Sequence, residues 1–333
     1  MSWRPTTLAP LLLPVLLAAL VLAAPTAPAR AAEAGFSCAK ARSLVDRLTC
    51  DDPALARADG SLAAAYKALL DAVGPDETAR ARVRAQQRVW LARRDRECAV
   101  EEAAGPTPGD KAAIAGCLTD ATDQRIAVLG GLRANPSLAG RLRTAVIENR
   151  KPGHYLIHAD YPQIDDHSVA GAAAFNEAMR RIAEAEIQEF PEVAAAIEAS
   201  FTPYLWVVSD VYLPAPGLLS VQFNTDGMLG QPQSNRRTVT FDLARGRALT
   251  IQDVFAGEDW KAAVTAFRND ALGLETDPAI VAEVDDIADW RFEPRQAVFN
   301  ERLPGGSRIE VPIAYKDLAR HLKPDTLIGR DAR

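Results

Sequence analysis

Apolar positions follow one period before about residue 135 and another after it. In the first stretch Leu55, Leu62, Tyr66, Leu69 and Val73 recur at helical spacing, as do Val83, Trp90, Leu91 and Cys98, and then Ile114, Cys117, Leu118, Ala121 and Val128. Asp51-Asp52-Pro53 supplies an N-cap followed by a first-turn proline. Gly74-Pro75-Asp76 ends one helix and begins another, and Gly105-Pro106-Thr107-Pro108-Gly109 reads as a loop. Helices are therefore predicted from Cys38 to Arg133. Trp90 reads as an anchor in or against their core. The basic run Arg80, Arg82, Arg84, Arg88, Arg93, Arg94 and Arg96 spreads over several helix faces and reads as a solvated surface.

Beyond Asn135-Pro136 a short helical stretch is expected to lead to Lys151-Pro152 and an opening strand. Residues 170–190, with Phe175, Met179, Ile182, Ile187 and Phe190, predict an amphipathic helix. The period then becomes that of strands in "PYLWVVSDVYL", "LLSVQFNTDG", "RRTVTFDLARGRALT", "AVFNE" and "RIEVPI", separated by Pro-x-Pro-Gly, Asp-Gly, Arg-Gly and Pro-Gly-Gly turns. The segments 252–272 and 279–290 between them read as helices. The expected fold class is α+β: a disulfide-stapled helical N-terminal domain, then an antiparallel-sheet domain with covering helices.

The ends and the cysteines place this pattern in a compartment. Arg4, an apolar run from Leu8 to Ala24 and Ala29-Arg30-Ala31 make a secretory signal peptide over residues 1–31, and no later segment approaches the roughly 20 apolar residues of a membrane helix. No lipid attachment is expected at Cys38. The mature protein is thus expected in the periplasm or the medium, with no membrane insertion after cleavage. There Cys38, Cys50, Cys98 and Cys117 suggest two disulfides rather than thiols or zinc ligands. Cys98 and Cys117 lie on core-facing stripes of successive helices and can meet, which leaves Cys38 to close a short turn with Cys50. The expected organisation is a helical domain at 32–135, a connection at 136–152 with few large apolar residues, and an α+β domain at 153–330.

Charge separates the two parts. Outside the leader the net charge is −8; residues 32–135 carry 15 acidic and 15 basic side chains, so the whole excess falls after them. That argues against nucleic acid and suits a basic partner.

The stretch "GHYLIHADYPQIDDH" at 153–167 holds three of the four histidines, but prolines bracket it and its alternation is that of an edge strand running into a turn. On a strand His154 and His158 would lie roughly 13 Å apart, too far to share one metal. Ser37 and Lys40 match a Ser-x-x-Lys spacing without its partner motifs. Glu283, Asp285, Asp286 and Asp289 have neither a calcium loop's spacing nor the opposed placement of glycosidase carboxylates, so they read as a solvated helix face. No catalytic residue, metal or cofactor is expected.

Two resemblances add to this reading. "CAKARSLVDRLTCDDPALARADGSLAAAYKALL", "QQRVWLARRDRECA" and "CLTDATDQRIAVL" together resemble the lysozyme inhibitor LprI-like N-terminal domain over about 95 residues, all four cysteines included. The resemblance implies a small disulfide-stapled helical module of exported bacterial proteins, some of which resemble inhibitors of lysozyme, and implies no catalysis. In the second half, "YPQI", "FDLARGRALTIQDVF" and "AVFNERLPGGSRIEVPIAYKDLARHLKP" resemble the domain shared by the anti-sigma factor RsiV and its relatives, also found beside some peptidoglycan deacetylases. Its most specific part is Asp-Leu-x-x-Gly-x-x-Leu-x-x-x-Asp-x-Phe at 242–255; Gln231-Pro232 stands where relatives often carry His-Pro. In RsiV this domain is a lysozyme receptor. The resemblances imply an envelope protein, not an enzyme, that binds and inhibits lysozyme or another basic muramidase by occlusion, with peptidoglycan as a further candidate ligand. The alternative is a peptidoglycan-acting enzyme or accessory wall-binding factor. The expected contacts are Asp160, Asp165 and Asp166 on a turn at 160–167, and Glu283, Asp285, Asp286 and Asp289.

Overall fold

A computed structural model describes residues 34–98, 107–197, 201–274, 282–303 and 308–330. The expected leader at 1–31, the start of the 105–109 loop and the Pro-Gly-Gly turn at 304–306 lie outside these residues. After a 3-10 turn at Cys38–Lys40 come α1 (Leu44–Asp51), α2 (Pro53–Val73), α3 (Glu77–Glu97), α4 (Pro108–Ala134) and the short α5 (Pro136–Ala139). Side chains at the breaks set the helix starts. Asp52 accepts the Ala54 and Leu55 amides at 2.8 and 2.9 Å, Asp76 does the same for Thr78 and Ala79, and Thr107 with Asp110 forms a capping box. Disulfides join Cys38 to Cys50 and Cys98 to Cys117. Among the described residues no helix is long and apolar enough to cross a membrane.

A six-stranded sheet follows, in the order β1 (Leu142–Lys151), β2 (Tyr155–Ile164), β3 (Tyr204–Tyr212), β4 (Leu218–Met228), β5 (Pro232–Asp242) and β6 (Arg247–Ala248). Only β2 and β3 run parallel, which requires a crossover, and α6 (Ala172–Ile187) with α7 (Phe190–Ala196) makes it. Gly171 begins α6 at φ +75°; a Cβ there would lie 2.1 Å from the Leu243 carbonyl oxygen, so only glycine fits. Then α8 (Ile251–Val254) and α9 (Trp260–Leu272) lead to a three-stranded antiparallel sheet of β7 (Trp290–Phe292), β8 (Gln296–Arg302) and β9 (Arg308–Ala314), closed by α10 (Tyr315–Leu318). The fold is α+β.

The structure corrects three local expectations. Residues 142–151 form strand β1, a charged and mostly exposed edge. β2 is therefore interior to the sheet, and it runs to Ile164, so Asp160 lies within the strand rather than on a turn. Of the segment 279–290, residues 282–286 form no helix; a 3-10 turn at Ile287–Asp289 then gives way to β7. Val284 is buried there and its carbonyl accepts the Trp290 indole N–H at 2.7 Å, which fixes the extended path.

The core also crosses the expected sparse connection. Leu138, Ala139, Leu142 and Ala145 are buried in one cluster with Leu69, Trp90 and Leu132 of the helices and with Ile157, Phe175 and Val207. A second cluster around Trp260, Trp290 and Phe299 underlies the small sheet. Leu48, Leu55, Cys98, Ile114, Ala115 and Leu118 form a separate small one near the disulfides.

Candidate functional site

The seven acidic candidates fall into three environments. Asp160 is buried at 5 % exposure, and its Oδ1 accepts the Ser209 amide at 2.6 Å and the Ser209 hydroxyl at 2.7 Å. It is buried within β2 rather than exposed on a turn. Burial pushes its carboxyl above the usual range, against the lowering influence of Ser209 and Arg93. Asp165 lies on the surface but is held between Arg143 and Arg82, the latter at 3.1 Å, and Asp166 pairs with Arg141 at 2.8 Å. Their charge is already matched where α3 meets the β2 end.

The remaining four lie on the segment entering β7. Glu283, Asp285 and Asp286 are exposed and Asp289 is half-buried. Asp285 pairs with Lys261 at 3.2 Å, which holds its carboxyl below the usual range. Asp286 caps the 3-10 turn by accepting the Ala288 amide at 2.9 Å. Burial, with Asp286 adding to it, pushes Asp289 up despite Arg308 at 3.5 Å. This is a short acidic strip held by the Trp290 anchor, and it is separate in sequence and pairing from Asp165 and Asp166.

His154 sits exposed in the β1–β2 turn, while His158 within β2 packs on the Trp206 ring, 4.9 Å between centroids, and lies 3.5 Å from Glu148. Among the described residues no cluster of His, Cys, Asp or Glu is placed to hold a metal.

A charged cleft lies between the helices and the sheet, and the sequence reading missed it. Arg93 reaches from α3 to β3, donating to the Ser209 carbonyl at 3.1 Å and to the Asp210 carboxylate, with Glu97 at 3.5 Å from its Nε. Burial works against this cation, yet Asp210 and Glu97 hold its pKa above the usual value. Glu97 in turn is pushed up to about 7 by burial and by Asp210, Asp226 and Asp160, with Arg93 opposing, although 48 % of its side chain stays exposed. Arg94, read from the sequence as solvated, is 6 % exposed and lies 5.2 Å over the Trp90 ring. A signal for this was present. Val83, Gln87, Trp90, Arg94 and Glu97 recur at helical spacing, so three polar residues and Trp90 share one face of α3.

Residues 38–129 match the family model described as lysozyme inhibitor LprI. Two solved structures are similar to the chain: a DUF3298 family protein from Pseudomonas aeruginosa PAO1, 15 % identical, covering 55 % of this chain and 94 % of that one with a TM-score of 0.42; and a DUF3298 family member from Bacteroides fragilis NCTC 9343, 18 % identical, covering 56 % and 96 % with a TM-score of 0.41. The comparison with curated proteins found no match.

Proposed function

We propose that this is an exported envelope protein that binds lysozyme or a similar basic muramidase and inhibits it by occlusion, without catalysis of its own. The match of residues 38–129 to the lysozyme inhibitor LprI family carries the reading. Two disulfides support an oxidising compartment outside the cytoplasm. The RsiV-type resemblance of the second half points to the same partner, and the net charge of −8 beyond residue 135 would steer a basic protein towards that half. Of the acidic candidates, Glu283, Asp285, Asp286 and Asp289 are the contacts we favour; Asp165 and Asp166, matched by arginines, are secondary.

The test is cell-wall lysis by lysozymes of several classes with the mature protein added, together with calorimetry. Lysis should slow, and association should weaken between low salt and about 300 mM as exposed charges are screened. The combined variant Asp285→Lys, Asp286→Lys and Asp289→Lys should bind roughly tenfold more weakly. Unchanged lysis at stoichiometric protein, with no complex at low salt, would refute the proposal.

A further inference from the structure

The cleft between α3, α4 and strands β1–β3 encloses about 70 Å³. Arg93 and Arg125 lie on its floor beside Asp160 and Asp210, Val128 and Leu132 form an apolar wall, and Val89, 52 % exposed, stands at the mouth. Three of the four floor groups find partners within the protein. Arg93 holds Asp210 and the Ser209 carbonyl, and Asp160 holds the Ser209 amide and hydroxyl. The second oxygen of Asp210 is shared with Asn224 at 3.5 Å.

Arg125 is different. Its Nε donates to Gln87 at 3.0 Å and its guanidinium carbon lies 5.6 Å from the centre of the Trp90 ring, but among the described residues no carboxylate pairs with it and its two terminal nitrogens have no acceptor. The residue is partly exposed and lines the cleft. Burial, with Arg93 adding to it, pushes its pKa down to about 10 against Asp210, so it stays charged at neutral pH. A guanidinium carries five donors, and one partly withdrawn from water with donors unmatched by the protein favours a ligand that supplies acceptors.

We propose that this cleft binds a single carboxylate on a short apolar stem, the carboxylate bridging the terminal nitrogens of Arg125 and the stem lying against Val128 and Leu132. A carboxylate matches the planar donor fork. The volume selects its size: at about 10–15 Å³ per water it holds about five waters, hence a group of four to six heavy atoms. The nearby Asp210 carboxylate disfavours a doubly charged anion such as phosphate. Two sources offer this chemistry, a free short-chain acid and the C-terminus of a peptide ending in a small apolar residue. The inference stands independently of the lysozyme reading.

Calorimetry on the mature protein tests it with propionate, N-acetyl-Ala-Ala as the free acid, the same dipeptide as its amide, and inorganic phosphate. Propionate or the dipeptide acid should bind, and whichever is tighter identifies the source; the amide and phosphate should not. Arg125→Met should weaken binding at least tenfold, whereas Arg88→Gln, which removes an exposed arginine from α3, should leave it unchanged. Val89→Trp should abolish binding by filling the mouth without touching Arg125, and it decides the matter if Arg125→Met does not fold. No binding of either acid up to about 10 mM, equal binding of acid and amide, phosphate binding as tightly as the acids, or full binding by Arg125→Met or Val89→Trp would each overturn the proposal.

Discussion

Asp160 shows how burial changes what an acidic residue contributes. Unfolded, its carboxyl releases a proton near 3.8; folded, burial keeps that proton to higher pH. The folded state therefore binds more protons in that window, and the contribution of Asp160 to stability is full below it and is lost as pH rises through the raised value. In Asp160→Asn the amide oxygen can still accept both Ser209 donors but never ionises. Compared by urea midpoints, the variant should gain on the wild type as pH rises from about 4 to about 7; a gap that stays constant or reverses would mean that Asp160 is ionised throughout. Arg93→Met acts in the opposite sense, because it leaves Asp210 at 20 % side-chain exposure without its cation. It should cost about 3 kcal/mol in the same titration.

At the scale of elements, the two disulfides hold the part of the molecule with the smallest core. The cluster of Leu48, Leu55, Cys98, Ile114, Ala115 and Leu118 has six buried members and stands apart from the main core, so the Cys38–Cys50 and Cys98–Cys117 bridges carry much of its stability. Loops spanning 12 and 19 positions should each contribute about 3 kcal/mol through the unfolded chain. On reduction, hydrogen exchange should therefore accelerate first in Leu44–Leu55 and 107–118, while β3 and β4 stay protected; simultaneous loss everywhere would contradict this. The starts of α2 and α3 were legible in the sequence because Asp52 and Asp76 mark them, whereas α4 begins at Pro108 inside the stretch read as a loop; β3, β4, β5, β8 and β9 were legible from alternation between turns. β1 was not, since "LRTAVIENRK" is a charged edge without a buried stripe of its own, and 282–286 was not, since its extended path depends on bonds to side chains elsewhere, Trp290 to the Val284 carbonyl and the Ala282 amide to Thr265. Of the cleft, the polar side of α3 could be read from spacing. Its pairing could not, because Arg93 and Asp210 are 117 positions apart and chain spacing carries no register at that distance.

At the scale of the whole molecule, the helices and the large sheet share one core. Besides the buried side chains of α5 and β1, Gln86 donates to the Leu142 carbonyl at 2.5 Å and Arg82 to the Gly140 carbonyl at 3.0 Å, so α3 is tied to the start of the sheet. Gly140 itself lies so close to α3 that a Cβ would come within 2.3 Å of the Ala79 Cβ. Two parts that bury a common core cannot expose it one at a time without leaving the other's apolar surface in water. Oxidised protein should thus unfold in one transition, with far-UV circular dichroism and tryptophan fluorescence coincident, and cleavage between 135 and 152 should release no folded fragment. Gly140→Ala provides the sharper test. The methyl group must push α3 away from the sheet, at a cost of about 1–3 kcal/mol. In a cooperative molecule both signals shift to lower denaturant together, by the same amount. In a molecule of two independent domains the helical signal alone would shift, the sheet tryptophans would keep their midpoint, and the shared-core account would fail.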